Sequence, residues 1–227
     1  MSTPRLVEVR QNVLKQNDLL ARSLRKRFAD SGVLVVSFVS TPGAGKTALL
    51  ERTLSSLRET GLQVAALVGD LATDNDADRL ARSKVPVRQI TTGTVCHLDA
   101  TMVEKALGDW NLEALDILFI ENVGNMVCPS SYDLGENLRI VLLSTTEGED
   151  KPLKYPTIFN TSDVAVITKM DLASVVDFDL EAARTNIQHV RPGMKTLEVS
   201  VKTGAGITDY LDLIVSHVKS ESFNLTT

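Results

Sequence analysis

Two cysteines in 227 residues cannot build a disulfide framework, so the chain is not a small stapled secreted module. In a reducing compartment each thiol is a core residue, a metal ligand or a reactive group. Aromatic residues make up only 4%, which leaves the core to Val, Leu, Ile and Ala. No apolar run approaches the roughly 20 residues of a membrane span. The opening MSTPRLVEVRQ lacks the apolar stretch of a secretory signal, so a cytoplasmic protein is expected. A basic excess is missing too: 24 Lys and Arg face 29 Asp and Glu, a net charge of -5. That argues against a nucleic-acid partner or an anionic membrane surface, while leaving room for a small basic pocket. Internal repeats and low-complexity segments are absent as well.

What the chain has is alternation. Val7, Val13, Leu14, Leu19, Leu20 and Leu24 predict an N-terminal amphipathic helix over about 7–28. The continuous apolar run VLVVSFVS then reads as a strand buried on both faces. A helix over 46–59 and strands in QVAALVG and VPVRQIT follow, with a short helix in DADRLARS between those strands. Next come a helix in LDATMVEKALGDW and strands in LDILFIEN, NLRIVLLSTT and DVAVITKMD. A helix over 180–189, the strand KTLEVSV and the helix ITDYLDLIVSHV complete the pattern. Such alternation predicts an α/β fold with a doubly wound, mostly parallel sheet flanked by helices. The expected organisation is a helix at 1–30 packed on the same domain, a domain over 31–220 and a frayed tail at 221–227. Residues 146–162 are expected to form the longest irregular connection.

The strand at 33–40 ends in STPGAGKT, a phosphate-loop pattern. Pro42, Gly43, Ala44, Gly45, Lys46, Thr47 and Ala48 would cradle a nucleotide's phosphates with backbone N–H groups at a helix N-terminus. Lys46 would neutralise the β/γ-phosphates, and the Thr47 hydroxyl would ligate Mg2+. A glycine-rich turn that binds nothing is the plainer alternative, disfavoured because strand, turn, Lys-Thr and helix occur in order. Ser40 replaces the first Gly, a change expected to affect turn geometry rather than charge. ITKMDL resembles the guanine-recognition motif, with Thr168 where Asn is usual. Asp171 would accept from guanine N1–H and N2–H2, and the Lys169 stem would lie along the base. Ser200, Val201 and Lys202 in SVKTGAG resemble the motif whose backbone contacts the base oxygen. ATPases of the partition type carry an extra Lys where Thr41 stands, which counts against them.

Asp70 ends the second strand where a carboxylate could reach Mg2+, and Asp76 could position water. Asp74 and Asp78 read as a cap and solvated acids. Glu121 ends LDILFIEN as a second carboxylate near Mg2+, and Gly124 could offer its N–H to a γ-phosphate and let the loop flip. No arginine finger is evident, so turnover should be slow. Cys96, His97 and Cys128 offer two thiolates and an imidazole, a set suited to Zn2+ or Ni2+. A bare Cys-His pair is more often structural. Three side chains also leave a site incomplete, so a dimer could supply the rest. His189 and His217 fall in predicted helices, where packed or solvated roles are expected.

Together STPGAGKTALL, VGDLATDNDADR, VCHLDATMVEKAL, IENVGNMVCPSSYDLGE and ITKMDL resemble the hydrogenase-maturation nickel-insertion GTPases of the HypB type, within the SIMIBI class of P-loop NTPases. The resemblance covers nearly the whole chain. It implies GTP, GDP and Mg2+ as ligands, and a nucleotide-dependent homodimer. It further implies nickel, or zinc, held by Cys96, His97 and Cys128 at the subunit interface. Nickel would pass to the large subunit of nickel–iron hydrogenase with the help of a partner metallochaperone. Neither a Cys-rich nor a His-rich N-terminal tract is present, so a separate storage site is not expected. Competing readings are a urease-accessory or mutase-chaperone GTPase, a non-catalytic nucleotide-stabilised metal-binding dimer, and a small-molecule kinase, for which no acceptor motif is visible.

Overall fold

The computed structural model describes residues 5–70 and 79–224. The chain runs α1 (Arg5–Ser31), β1 (Leu34–Val39), α2 (Lys46–Glu59), β2 (Val64–Asp70), β3 (Val87–Thr91), α3 (Ala100–Leu107) and β4 (Ile117–Glu121). It continues through β5 (Leu138–Ser144), two short helices α4 (Lys151–Lys154) and α5 (Pro156–Asn160), β6 (Val164–Thr168), α6 (Leu180–Val190), β7 (Lys195–Glu198) and α7 (Ile207–Asn224). Among the described residues seven strands form one parallel sheet in the order β3-β2-β4-β1-β5-β6-β7. The expected doubly wound α/β architecture is therefore observed. Among the described residues no helix is long and apolar enough to cross a membrane.

Why β1 is buried at every position follows from its place in the middle. Leu34, Val36 and Phe38 face a cluster that includes Leu50, Leu54 and Leu57 of α2 and Tyr210 and Ile214 of α7. Val33 and Val35 turn to the opposite cluster with Ala21, Leu24 and Phe28 of α1 and Val103 and Leu107 of α3. Helices on both faces leave no solvent side, so no hydrophobic–polar alternation appears. A third cluster packs Ile158, Phe159, Ala183 and Ile187 over Val141, Leu143, Ala165 and Ile167.

An ion pair is also buried beside β1. Arg139 Nε lies 2.7 Å from Glu136 Oε1, and both side chains are more than nine-tenths buried. Ser37 donates to the same carboxylate oxygen at 2.9 Å, and the Leu134 N–H donates to the other at 2.8 Å. Arg139 reaches on to the Tyr132 carbonyl. Such a pair is tolerated because its lone pairs and protons are satisfied. It pins segment 132–137, which follows Cys128, to the sheet.

Three expectations need correction or limits. Residues 146–162 are not irregular: α4 and α5 occupy most of the span. Pro152 and Pro156 sit in their first turns, where a missing N–H costs nothing. Helices of four and five residues are too short to leave a periodic signal. The tail expected to fray from 221 continues α7 to Asn224. The short helix expected over 76–83 is described only from Arg79 onward; Asp74, Asp76 and Asp78 lie outside the described residues.

Phe28 is wholly buried and joins α1 to the sheet. Phe28→Ala is expected to cost about 3–5 kcal/mol. It should lower the denaturant midpoint with little change in slope. A loss below about 1 kcal/mol would mean that α1 is not an integral part of this core.

Candidate nucleotide and metal site

The C-terminal ends of β1, β2, β4 and β6 meet on one edge of the sheet, where open α/β sheets bind ligands. After β1 the chain turns through Gly43 (φ +76) and Gly45 (φ +96), a left-handed backbone that side chains disfavour. Gly45 then caps α2. A cleft of about 410 Å³ opens above the turn, lined by Gly43, Gly45, Lys46, Thr47, Asp70, Arg79, Glu121 and Gly124, among others. Lys46 is buried, and its Nζ donates to Ser40 Oγ at 3.0 Å and to the Thr41 carbonyl at 3.4 Å. Ser40 donates in turn to Thr41 O at 2.7 Å. The residue in place of the usual Gly thus contributes more than turn geometry: its hydroxyl holds the lysine.

Thr47 Oγ1 donates to Glu121 Oε1 at 2.7 Å, and Asp70 lines the same cleft. Hydroxyl and carboxylate oxygens side by side are the hard donor set that suits Mg2+. Gly124 lies so close to the phosphate loop that an added Cβ would stand 2.9 Å from Pro42 Cα and N.

The end of β6 is equally tied to the loop. Thr168, standing where Asn is usual, donates to the Ala44 carbonyl at 2.7 Å. Lys169 adopts φ +58 and sends its Nζ across to Gly43 O at 2.7 Å. Asp171 accepts from Ser200 Oγ at 2.6 Å, so the segments after β6 and β7 brace each other. Ser200 acts here through its side chain. A second hollow of about 270 Å³ is lined by Gly45, Ala48, Arg79, Thr168, Lys169, Val201 and Lys202.

Beyond the cleft, Cys96, His97 and Cys128 bring their ligand atoms within 4.8 Å of one another. Cys96 and His97 sit in bends between β3 and α3, not on a strand, which is how adjacent residues converge. Asp99 caps α3 by accepting from the Met102 N–H at 2.8 Å. Cys128 opens a short 3-10 turn, with Asn125 Oδ1 accepting from the Val127 and Cys128 N–H groups. The two sulfurs are 2.8 Å apart as thiols. The Tyr132 ring lies over His97, centroids 3.9 Å apart. Burial holds the His97 imidazole below its ordinary pKa, opposed by the charge of Asp99, so the neutral, ligating form is favoured. His217 Nδ1 sits 2.9 Å from Leu213 O, and His189 lies in the last turn of α6; among the described residues neither joins the cluster.

Sequence reasoning missed three residues here. Arg79 lines both hollows while its Nε bonds Glu51 at 2.7 Å; the signal was the last residue of DNDADR. Glu147 follows β5, and burial pushes its carboxyl up, against the pull of the Ser144 N–H, Lys151, Lys169 and Lys46. Asn122, next to Glu121, is a buried amide whose Oδ1 accepts from two backbone N–H groups.

A family model described as the CobW/HypB/UreG nucleotide-binding domain matches residues 34–198. The hydrogenase maturation factor HypB of Rhizobium leguminosarum bv. viciae is 45% identical over 207 residues, 91% of this chain and 69% of that protein. The crystal structure of HypB from Helicobacter pylori in complex with nickel is 40% identical, with a TM-score of 0.85 over 90% of this chain and 96% of that one. That of HypB from Archaeoglobus fulgidus is 36% identical, with a TM-score of 0.83 over 90% of this chain and 99% of that one.

Because Gly124 abuts the Pro42 backbone, Gly124→Ala must displace the phosphate loop or the β4 loop. Forcing a methyl into a packed contact costs about 1–3 kcal/mol. Calorimetric titration with Mg2+ and GDP is expected to show affinity lowered about tenfold or more, with the circular dichroism spectrum unchanged. Wild-type affinity would show that the contact yields freely.

Proposed function

This chain belongs to the HypB family of hydrogenase maturation factors, and on that premise we propose that it is a GTPase that holds nickel between two subunits and releases it when GTP is hydrolysed. One observation carries the reading: Cys128, a member of the ligand cluster, lies on the loop that leaves Glu121 at the end of β4 and carries Gly124 of the nucleotide cleft. Whatever reorders that loop at the phosphates moves a metal ligand. Nickel is cargo here, and the large subunit of nickel–iron hydrogenase its destination, with a nickel metallochaperone as partner. Zinc suits the same ligands.

In this reading the amides of 43–48 and Lys46 bind the triphosphate. Asp171, steadied by Ser200, selects guanine, with Lys169 and the 200–202 segment around the base. Thr47, Asp70 and Glu121 would hold Mg2+, which would neutralise the charge of the phosphates. Asp76 is assigned to positioning water. Gly124 presents its N–H to the γ-phosphate. Cys96, His97 and Cys128 hold nickel, and a second copy of the chain completes the coordination. Val127, 61% exposed beside Cys128, gives that dimer an apolar contact.

Three measurements test this. Phosphate release should be slow but clear in wild type and fall to background in Lys46→Ala; indistinguishable rates would leave only a binding module. Asp171→Asn should lose GTP affinity by about tenfold or more, because a buried-edge hydrogen-bond mismatch is strongly rejected. Nickel titration with light scattering should give tighter binding and more dimer with a non-hydrolysable GTP analogue than with GDP. Equal values in both states would remove the coupling.

A further inference from the structure

We propose that Asn122 is a positioning residue that carries the state of the nucleotide cleft into the Cys96–His97 half of the metal cluster; the inference rests on the coupling proposed above. The shared loop explains how Cys128 would respond to nucleotide. It leaves Cys96 and His97, which belong to a different loop, without a link to the phosphates. Asn122 supplies one. It follows Glu121 directly, and Glu121 accepts the Thr47 hydroxyl at 2.7 Å. The Asn122 N–H donates to Phe38 O at 3.0 Å, next to the start of the phosphate loop. Its Oδ1 accepts from the Leu98 N–H at 3.0 Å and the Val123 N–H at 2.9 Å.

Leu98 is the residue after His97. It is fully buried, so water cannot replace the Asn122 oxygen at its N–H. Its side chain fills the space left by Gly69, where an added Cβ would stand 2.8 Å from Leu98 Cγ and Cδ2. Asp70 is the next residue of β2. Leu98 is therefore wedged between the ends of β2 and β4, the two strands that bring Asp70 and Glu121 to the cleft.

Two residues further on, the loop is anchored elsewhere. Asn17 of α1, 6% exposed, accepts from the Ala100 N–H through Oδ1 at 2.9 Å and donates to Asp133 O through Nδ2 at 2.9 Å. That amide fixes the start of α3 and the segment after Cys128 to a helix remote from the phosphates. One asparagine thus holds the metal loops in place, and the other joins them to a strand end that nucleotide can shift. A movement of β4 is resisted at Ala100 and taken up at Cys96 and His97. The chain of contacts Thr47–Glu121–Asn122–Leu98 is contiguous, and each member has a discrete partner to lose.

The test is nickel affinity at saturating GDP and at a saturating GTP analogue, in wild type, Asn122→Ala, Asn122→Asp and Asn17→Ala. Wild type should show a ratio of about fivefold or more between the two states. Asn122→Ala should bring that ratio towards one. Asn122→Asp, which keeps an acceptor for both N–H groups, should retain most of it. Asn17→Ala should weaken nickel binding in both states and leave the ratio. A wild-type ratio in folded Asn122→Ala would overturn the inference while leaving the coupling standing. Equal affinities in wild type would instead bring down the coupling itself. If Asn122→Ala does not fold, hydrogen exchange of the Leu98 amide in wild type decides: protection should differ between the two nucleotides, and equal protection would overturn the inference.

Discussion

The hydrogen bond from the Thr47 hydroxyl to the Glu121 carboxylate is the joint on which the rest of this site turns. It ties the first turn of α2 to the end of β4, and so binds the phosphate loop to the strand that leads to the metal cluster. Both groups are oxygens that suit Mg2+, so such a cation would enter between these two elements. Everything nearer the base reinforces the loop from its other side. Thr168 and Lys169 are bonded to Ala44 and Gly43, leaving the loop few ways to shift as a whole.

Much of this was legible in the chain. The continuous apolar runs announced a sheet covered on both faces, because a central strand has no side to give to water. Gly43, Gly45, Lys46 and Thr47 could be placed because their chemistry is local: the strand, turn and helix that create it are contiguous. The cysteines and histidine could be nominated only as types, since their convergence depends on bends after β3 and β4 that no period encodes. What the sequence could not disclose were long-range amides and hydroxyls. Asn17, Asn122 and Ser40 are ordinary polar residues until the fold surrounds them. The same limit hid α4 and α5, whose prolines read as loop residues but sit where a helix begins.

Electrostatic placement follows a similar division. The chain is acidic overall, yet Lys46, Lys169, Lys202 and Arg79 all line the two hollows at one sheet edge. A net negative protein thus presents a local positive basin where polyphosphate would sit, bounded by the carboxylates that a divalent cation needs. The buried Arg139–Glu136 pair belongs to the scaffold instead. It holds the segment beyond Cys128 against β1 and β5, so that segment's shape is set by packing.

The cluster of Cys96, His97 and Cys128 joins positions 32 residues apart along the backbone. An ion gripped by all three is in effect a removable crosslink, and the ring it closes contains α3 and the whole of β4. Closing a ring takes entropy from the unfolded chain, so the laden protein resists unravelling more than the unladen one. Ion and scaffold would then report on each other: loss of the ion would loosen the very ring that contains the carboxylate touching Thr47.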